Sequence, residues 1–511
     1  MSTPITTSWV LALAPEISLI VLLVLVLIYD RVWQSEQRRV GLLTAWGGLA
    51  TLAITLGLWF FFNEPNAQWS LSESVMWGGM IRHDLATLVF RVIFLVVLIL
   101  VSLISVDVRR LQKGEFYALL IMATIGFNLM AASVDLIMLY VALETASVSS
   151  YVLAGFMSNN KRSSEAGMKY FVYGAFATSI MLYGMSLLYG LTGQTNLYII
   201  GDMLRQVPFQ VSVDSGLAVT FQANPEFHVI LLAAVMIVVG FGFKISIVPF
   251  HFWAPDVYEG APTSVTAFIS TASKAAGFAV VLRVFLTGSL GQVSFANSWW
   301  SLLVVMAIVT MVLGNFAAIY QTSIKRLLAY SSIAQAGYVL IGLIVLTPEG
   351  AAASMFYLLM YVFTNIAAFG VIILVSNVTH SDRLSDLNGL SRRSPNLALV
   401  MLFALLSLGG IPPAAGFVGK FLIFKAAVDV GLWWLAMIGI LNAFVALYYY
   451  LNVVKYMYLY PSAEETEVIP VSRAAAVGLG ISTLIIILLG TVYAGPAYEW
   501  TLAAAASFFP G

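Results

Sequence analysis

Four ionisable residues stand where an apolar chain has least use for them. Glu144 lies in "LYVALETASVSSY" (139–151), Lys244 in "FGFKISIVPFHFW" (241–253), Lys274 in "STASKAAGF" (270–278) and Lys420 in "GIPPAAGFVGKF" (410–421). A charge placed mid-helix in a bilayer costs about 2.5–3.5 kcal/mol on insertion scales, so the four together cost on the order of 10 kcal/mol before partners are counted. Structural pairing accounts for one lysine at most, because Glu144 is the only acid among them and Glu16, Asp84, Asp107 and Asp429 fall near the ends of apolar runs. Two lysines then remain without a carboxylate. Lysine in such surroundings offers one chemistry, the uptake and release of a proton at its amine. A carboxylate near Lys244 holds that proton in place, and its withdrawal lets the proton go, so Glu144 and Lys244 make a natural switch. His251, just past Pro249, is a further relay candidate, with capping of an interrupted helix as its alternative role. Lys425 reads as a side chain snorkelling to the interface, and Lys325 and Arg326 as part of a basic belt.

These residues require a membrane around them. Of the 511 residues 61% are hydrophobic and only 9% charged, with 24 acids against 24 bases, too few to cover a water-facing surface. The first apolar run, 9–29, has no cation before it and reads as a retained span. With no cysteine in the chain, disulfides, cysteine-ligated iron–sulfur clusters and thiolate zinc sites are excluded. Electron chemistry must sit on other chains. No nucleotide, flavin or haem motif stands out, and no feature suggests nucleic acid or a resident metal. "GFVGKF" is no phosphate loop, because Ala414 and Phe421 occupy positions where that pattern needs glycine and a hydroxyl residue.

Apolar windows predict fourteen spans: 9–29, 40–62, 85–106, 116–132, 135–156, 167–190, 228–248, 264–286, 299–320, 327–346, 351–377, 397–428, 431–456 and 472–494. Loop charge supports the count. Connections after odd-numbered spans hold Arg31, Arg38 and Arg39; Arg109, Arg110 and Lys113; Lys161 and Arg162; Lys325 and Arg326; Arg383, Arg392 and Arg393; and Arg473. Those after even-numbered spans hold little beyond Arg82 and Arg205. The positive-inside rule then puts both termini on the non-cytoplasmic side.

Spans 7 and 12 are each interrupted by a Gly/Pro cluster with a lysine beside it, and they lie five spans apart. An odd separation reverses their direction. Paired broken helices in inverted halves point to a transport site near the membrane midplane. The fold class expected is therefore all-α integral membrane, one domain over 1–511, with inverted five-helix repeats formed by spans 4–8 (116–286) and 9–13 (299–456).

Three stretches, "KISIVPFHFWAPDVYEGAPTSVTAFISTASKAAGF" (244–278), "QTSIKRLLAYSSIAQAGY" (321–338) and "SLGGIPPAAGFVGKFLIF" (407–424), closely resemble the antiporter-like membrane subunits of respiratory complex I. The resemblance runs through nearly the whole chain and implies the fourteen-span inverted-repeat fold. It places the family's relay on Glu144, Lys244, Lys274 and Lys420. Lysine rather than glutamate at position 420, and no long lateral helix after span 14, favour the subunit-2 type, most like the cyanobacterial and chloroplast branch. Many relatives have histidine where this chain has Gln335, and glutamine cannot carry charge. The resemblance further implies a thylakoid membrane with lumenal termini, neighbouring antiporter-like and soluble-arm subunits, iron–sulfur clusters and plastoquinone on those partners, and ferredoxin or NAD(P)H as donor. A cation/proton antiporter of the Mrp type is the alternative, disfavoured by an interior dominated by lysines that repel sodium.

Overall fold

The computed structural model describes residues 7–33, 38–62, 75–205, 210–213, 219–222, 225–287, 296–462 and 469–509. Residues 1–6 and 510–511, at the chain ends, lie outside them. All fourteen apolar windows are helical. Twelve helices among the described residues are long and apolar enough to cross a membrane by length and composition. The remaining two are span 1, Ala14–Val32, which carries Glu16, Asp30 and Arg31, and span 12, split into Pro395–Gly409 and Ala415–Asp429.

Spans 2 to 6 are Arg38–Phe62, Leu85–Ser105, Gly114–Ala132, Leu136–Ala154 and Lys161–Thr192. Span 7 is broken into Pro225–Ile245 and Trp253–Gly260. Span 8 runs Thr263–Leu286, and spans 9 to 11 are Ala296–Ile319, Ile324–Ile344 and Pro348–Thr379. Span 13 is Trp433–Tyr458 and span 14 Arg473–Gly490. The contact pattern of one set of five recurs in the next. Span 4 packs along span 5 as span 9 packs along span 10, and span 6 touches both halves of span 7 as span 11 touches both halves of span 12.

Burial grades inward. Spans 8, 10 and 11 are almost wholly enclosed, whereas spans 2, 6, 13 and 14 keep broad exposed faces of large apolar residues such as Trp46, Phe176, Phe444 and Leu484. In lipid such faces carry no penalty, and the backbone behind them is satisfied within each helix. Lys274 belongs to this innermost layer, and Lys244 and Lys420 are buried side chains on the less enclosed spans 7 and 12.

Four features depart from the sequence expectation. Two short antiparallel hairpins, Val75–Met76 with Ile81–Arg82 and Gln210–Val213 with Val219–Gln222, interrupt an otherwise helical chain. A short helix, Leu197–Arg205, follows span 6. A further helix, Ala494–Ala505, packs on span 11 after span 14. Span 8 contains a π-helical turn, Ile269–Ser273, immediately before Lys274. Such turns leave no propensity signal, since they arise from one inserted residue in a regular helix.

Candidate functional site

Span 12 ends its first half at Gly410, whose φ of 79° closes the helix in the left-handed region. Pro412 and Pro413 follow. In an α-helix the carbonyls of Leu408 and Gly409 accept from the amides of residues 412 and 413, and both of those residues lack an N–H. Lys420 supplies the missing donors. Its Nζ donates to Leu408 O at 2.8 Å and to Gly409 O at 3.2 Å. The ammonium thus sits at the negative end of the half-helix dipole, 5.0 Å from the Tyr338 ring centroid. No carboxylate takes part.

Lys274 follows the π-turn of span 8, and its Nζ donates to the backbone carbonyl of Ser332 at 2.6 Å and to Ser332 Oγ at 2.5 Å, both on span 10. Lys244 lies in the last turn of the first half of span 7. Its Nζ donates to Ser147 Oγ on span 5 at 2.9 Å and lies 5.7 Å from the Phe127 ring centroid. All three lysines are at most 5% exposed.

Glu144 and Lys244 form no direct ion pair, so simple structural pairing does not account for them; Lys244 is held by Ser147 on the helix of Glu144, and Glu144 Oε1 is enclosed without a hydrogen-bond partner. Ser147 stands between their roles. It lies one turn from Glu144 on the same helix, so the lysine it holds is next to the carboxylate's face without touching it. His251 is buried in the turn between the halves of span 7, its ring tilted by 33° against Phe252 with centroids 4.4 Å apart and its Nδ1 without a hydrogen-bond partner. None of the four relay candidates contacts it.

Apart from Gln335, sequence reasoning missed the groups between Lys274 and Lys420. Ser331 Oγ and Tyr450 OH lie 2.5 Å apart, and Gln335 Nε2 donates to Tyr450 OH at 3.1 Å and to Leu408 O at 3.2 Å. Tyr357 OH donates to Gln335 Oε1. Tyr449 OH donates to Asn315 Oδ1 at 3.0 Å, and Asn315 Nδ2 donates to Tyr338 OH at 3.1 Å. A band of hydroxyl and amide groups therefore spans the interior from span 8 to span 12. Hydroxyl residues are too common in apolar helices to be singled out by spacing.

Two buried arginines were also missed. Arg91 of span 3 pairs with Glu16 of span 1 at 2.9 Å. Arg283 of span 8 grips Asp84 with both terminal nitrogens, at 2.9 and 3.0 Å. Glu16 and Asp84, near span ends in the sequence, are thus enclosed and paired. Burial alone would raise the Asp84 carboxyl, but the charge and hydrogen bonds of Arg283 outweigh it and hold it at about 2. The single Arg91–Glu16 contact and the forked Arg283–Asp84 pair tie spans 1, 3 and 8 together, while the three lysines have no carboxylate in contact.

On the basic face a cavity of about 1470 Å³ is lined by Arg38, Asp107, Arg162, Glu259, Lys325 and Asp382, among others. Lys325 is not a free member of the basic belt: it is 8% exposed and donates to Ala261 O at 3.2 Å. Arg326 pairs with Glu259 at 2.9 Å and Asp256 at 3.1 Å. The cavity meets the Ala261–Pro262 link that enters span 8, the helix of Lys274. Lys425 is exposed, as expected, and pairs with Asp429 at 2.6 Å. Among the described residues no group of three or more His, Cys, Asp or Glu is arranged to hold a metal ion.

The sequence profile described as "NADH:quinone oxidoreductase/Mrp antiporter, TM" matches residues 133–446. The chain is 42% identical over 484 residues to NADH-quinone oxidoreductase subunit N of Desulfitobacterium hafniense, covering 91% of this chain and 92% of that one. It is 40% identical over 499 residues to NAD(P)H-quinone oxidoreductase subunit 2 of Synechocystis, covering 95% and 91%. A chain in the structure of respiratory complex I from Thermus thermophilus with bound aureothin superposes with a TM-score of 0.74 at 31% identity, covering 96% of this chain and all of the other.

Proposed function

The chain belongs to the NADH:quinone oxidoreductase/Mrp antiporter family and is a multi-pass, antiporter-like membrane subunit of complex I of the subunit N type; from that premise we propose that it moves protons through Glu144, Lys244, Lys274 and Lys420. The observation that carries this reading is the partner set of the lysines. Each is buried, none touches a carboxylate, and each is held by hydroxyl or carbonyl oxygens. A structural ion pair has its opposite charge at hand; an amine held by neutral oxygens can release its proton and keep its place.

Protons enter from the basic face through the cavity beside Lys325 and reach Lys274 along span 8. The inverted halves, 116–286 and 299–456, supply one broken helix each, and the polar band between them carries charge laterally. Quinone chemistry elsewhere in the complex shifts Glu144 electrostatically, which loosens or tightens the proton on Lys244. His251 touches none of these groups and serves at most the break in span 7.

The narrower form of this reading is a photosynthetic complex in a thylakoid membrane, with lumenal termini, iron–sulfur clusters and plastoquinone on partner subunits, and ferredoxin or NAD(P)H as donor. The Synechocystis relative at 40% supports it. The subunit N relative at 42% supports a bacterial respiratory complex equally, so assays of the purified complex with plastoquinone against other quinones, and with reduced ferredoxin against NADH, decide between them. Sodium antiport of the Mrp type is disfavoured by three lysines without carboxylate partners, since a sodium site needs anionic or carbonyl oxygens free of a competing cation.

Lys274→Ala in the assembled complex is expected to lower the protons moved per electron while quinone reduction and assembly persist. An assembled variant with the parental ratio overturns the relay.

A further inference from the structure

We propose that Gln335 is the gate of the lateral path, a locked amide that insulates Lys274 from Lys420 until a water molecule displaces it. This rests on the relay reading above and adds to it the place where the relay is opened and shut.

The orientation of the amide is fixed by its surroundings. Leu408 O is a carbonyl and can only accept, so the nitrogen of Gln335 must face it. The second N–H of that nitrogen points to Tyr450 OH, and Oε1 accepts from Tyr357 OH. Both N–H donors of the Gln335 amide are used and its oxygen has a partner, and the residue is 1% exposed. Tyr450 OH and Ser331 Oγ lie 2.5 Å apart, and either hydroxyl can donate to the other.

Such an arrangement runs by hydrogen bonds from Ser331, the residue beside the Lys274 partner Ser332, to Lys420, without conducting along that length. A chain of hydroxyls passes a proton because each oxygen can accept one and release another. An amide nitrogen has no free lone pair, and a backbone carbonyl has no proton to release. On the Lys420 side every contact of the amine is a carbonyl or a ring face. The contact chain Ser331, Tyr450, Gln335, Leu408, Lys420 is therefore continuous in geometry and interrupted in chemistry.

Opening the gate means turning the amide away from Leu408 and admitting one water between Tyr450 and Lys420. Tyr450 oxygen then gains a proton from Ser331 as it gives its own to the water, and the water gives one of its protons to the neutral amine of Lys420. One O–H bond breaks and one forms at each oxygen, one N–H bond forms at Lys420, and Ser331 regains its proton through a second water from the Lys274 ammonium, where one N–H bond breaks and a neutral amine is left. Shut, the gate keeps a proton on either lysine from running back.

The test uses the assembled complex in vesicles, with quinone reduction and subunit content as controls. Gln335→Leu replaces the amide with an apolar plug, and Tyr450→Phe removes the hydroxyl while keeping the ring. Both are expected to slow transfer through this subunit on the order of 100-fold, the scale of losing a positioned proton-transfer group. Gln335→His, whose two ring nitrogens can accept and release, is expected to restore transfer that Gln335→Leu has lost. A purely structural role predicts no such rescue. Parental proton-to-electron ratios in Gln335→Leu and Tyr450→Phe overturn the gate, as does Gln335→His no better than Gln335→Leu. Lys274→Ala tells the two failures apart: if it loses pumping while the gate variants keep it, the gate alone falls, and if it too pumps fully, the relay falls with it.

Discussion

Lys420 takes the place of the two amides that Pro412 and Pro413 lack, its Nζ lying 2.8 Å from Leu408 O and 3.2 Å from Gly409 O. Structural and chemical roles are thus joined in one group, and two substitutions separate them. Arginine at 420 can still donate to both carbonyls but does not give up its proton. Lys420→Arg is expected to assemble and reduce quinone with this subunit's pumping lost. Lys420→Met loses pumping and leaves the Gly409 carbonyl without its donor, Leu408 O keeping Gln335, at about 1–3 kcal/mol, so its assembled complex should also unfold earlier on heating. Full pumping in Lys420→Arg would sink the idea that this lysine releases a proton.

Gly410 sets where that lysine sits. Its φ of 79° favours glycine, and a Cβ added there would lie 2.9 Å from Lys420 Cδ. Gly410→Ala is expected to destabilise the break by about 1–3 kcal/mol through backbone strain and to displace the amine from Leu408 O. Asparagine tolerates the left-handed region but carries the same Cβ. Gly410→Asn should therefore recover stability and keep the pumping defect; recovery of both in thermal melts and proton-to-electron ratios would show that strain alone was at work.

Much of this was legible in the chain. A charge within an apolar run is visible without any relative for comparison, so Glu144, Lys244, Lys274 and Lys420 stand out, and Gly/Pro clusters mark both breaks before any coordinates exist. The partners were not legible. Ser147, Ser332 and the Leu408 carbonyl are ordinary groups whose importance comes from what folds against them, and nothing in the sequence marks the Ser147 hydroxyl, one turn from Glu144, as what holds Lys244. Arg91 and Arg283 obey the same rule as the lysines and could have been found by it. Glu16 and Asp84 look interfacial by position, which hid the fact that their cations lie inside neighbouring spans. Gln335 reads from sequence only as a residue that cannot hold a proton; that both its N–H donors and its oxygen have partners needs three-dimensional packing.

Among the described residues, Ser147 is the single hydrogen-bond partner of the Lys244 amine. Hydrogen bonds to charged groups are worth about 1.5–3 kcal/mol, so Ser147→Ala is expected to lower the stability of the assembled subunit and to release Lys244 toward Glu144. Threonine restores the hydroxyl. Coupling between quinone reduction and pumping should fall in Ser147→Ala and return in Ser147→Thr, read as protons moved per electron. An alanine variant that matches its parent in both stability and ratio would show that Ser147 does not hold the lysine.

His83 gives the fold a pH dependence outside the relay. It precedes span 3, beside Arg91 and Asp84. Burial, and then the positive charge of Arg91, hold its imidazole at about 3 against an ordinary 6.5, with Asp84 opposing them. Between those values the unfolded chain binds a proton that the folded chain refuses, so stability falls as pH drops from 6.5 toward 3 and does not change on this account above 6.5. The slope is about 1.4 kcal/mol per pH unit, or about 2 kcal/mol between pH 6.5 and pH 5. Replacing the imidazole with a neutral amide, His83→Gln, should remove most of that slope while leaving stability near pH 7.5 within about 1–2 kcal/mol of the parent, since one contact, to Arg91 at 3.3 Å, is altered. Thermal unfolding of the detergent-solubilised complex at pH 7.5 and pH 5 measures this directly. If parent and variant lose the same stability on acidification, the dependence belongs to another group and His83 is not the residue that titrates.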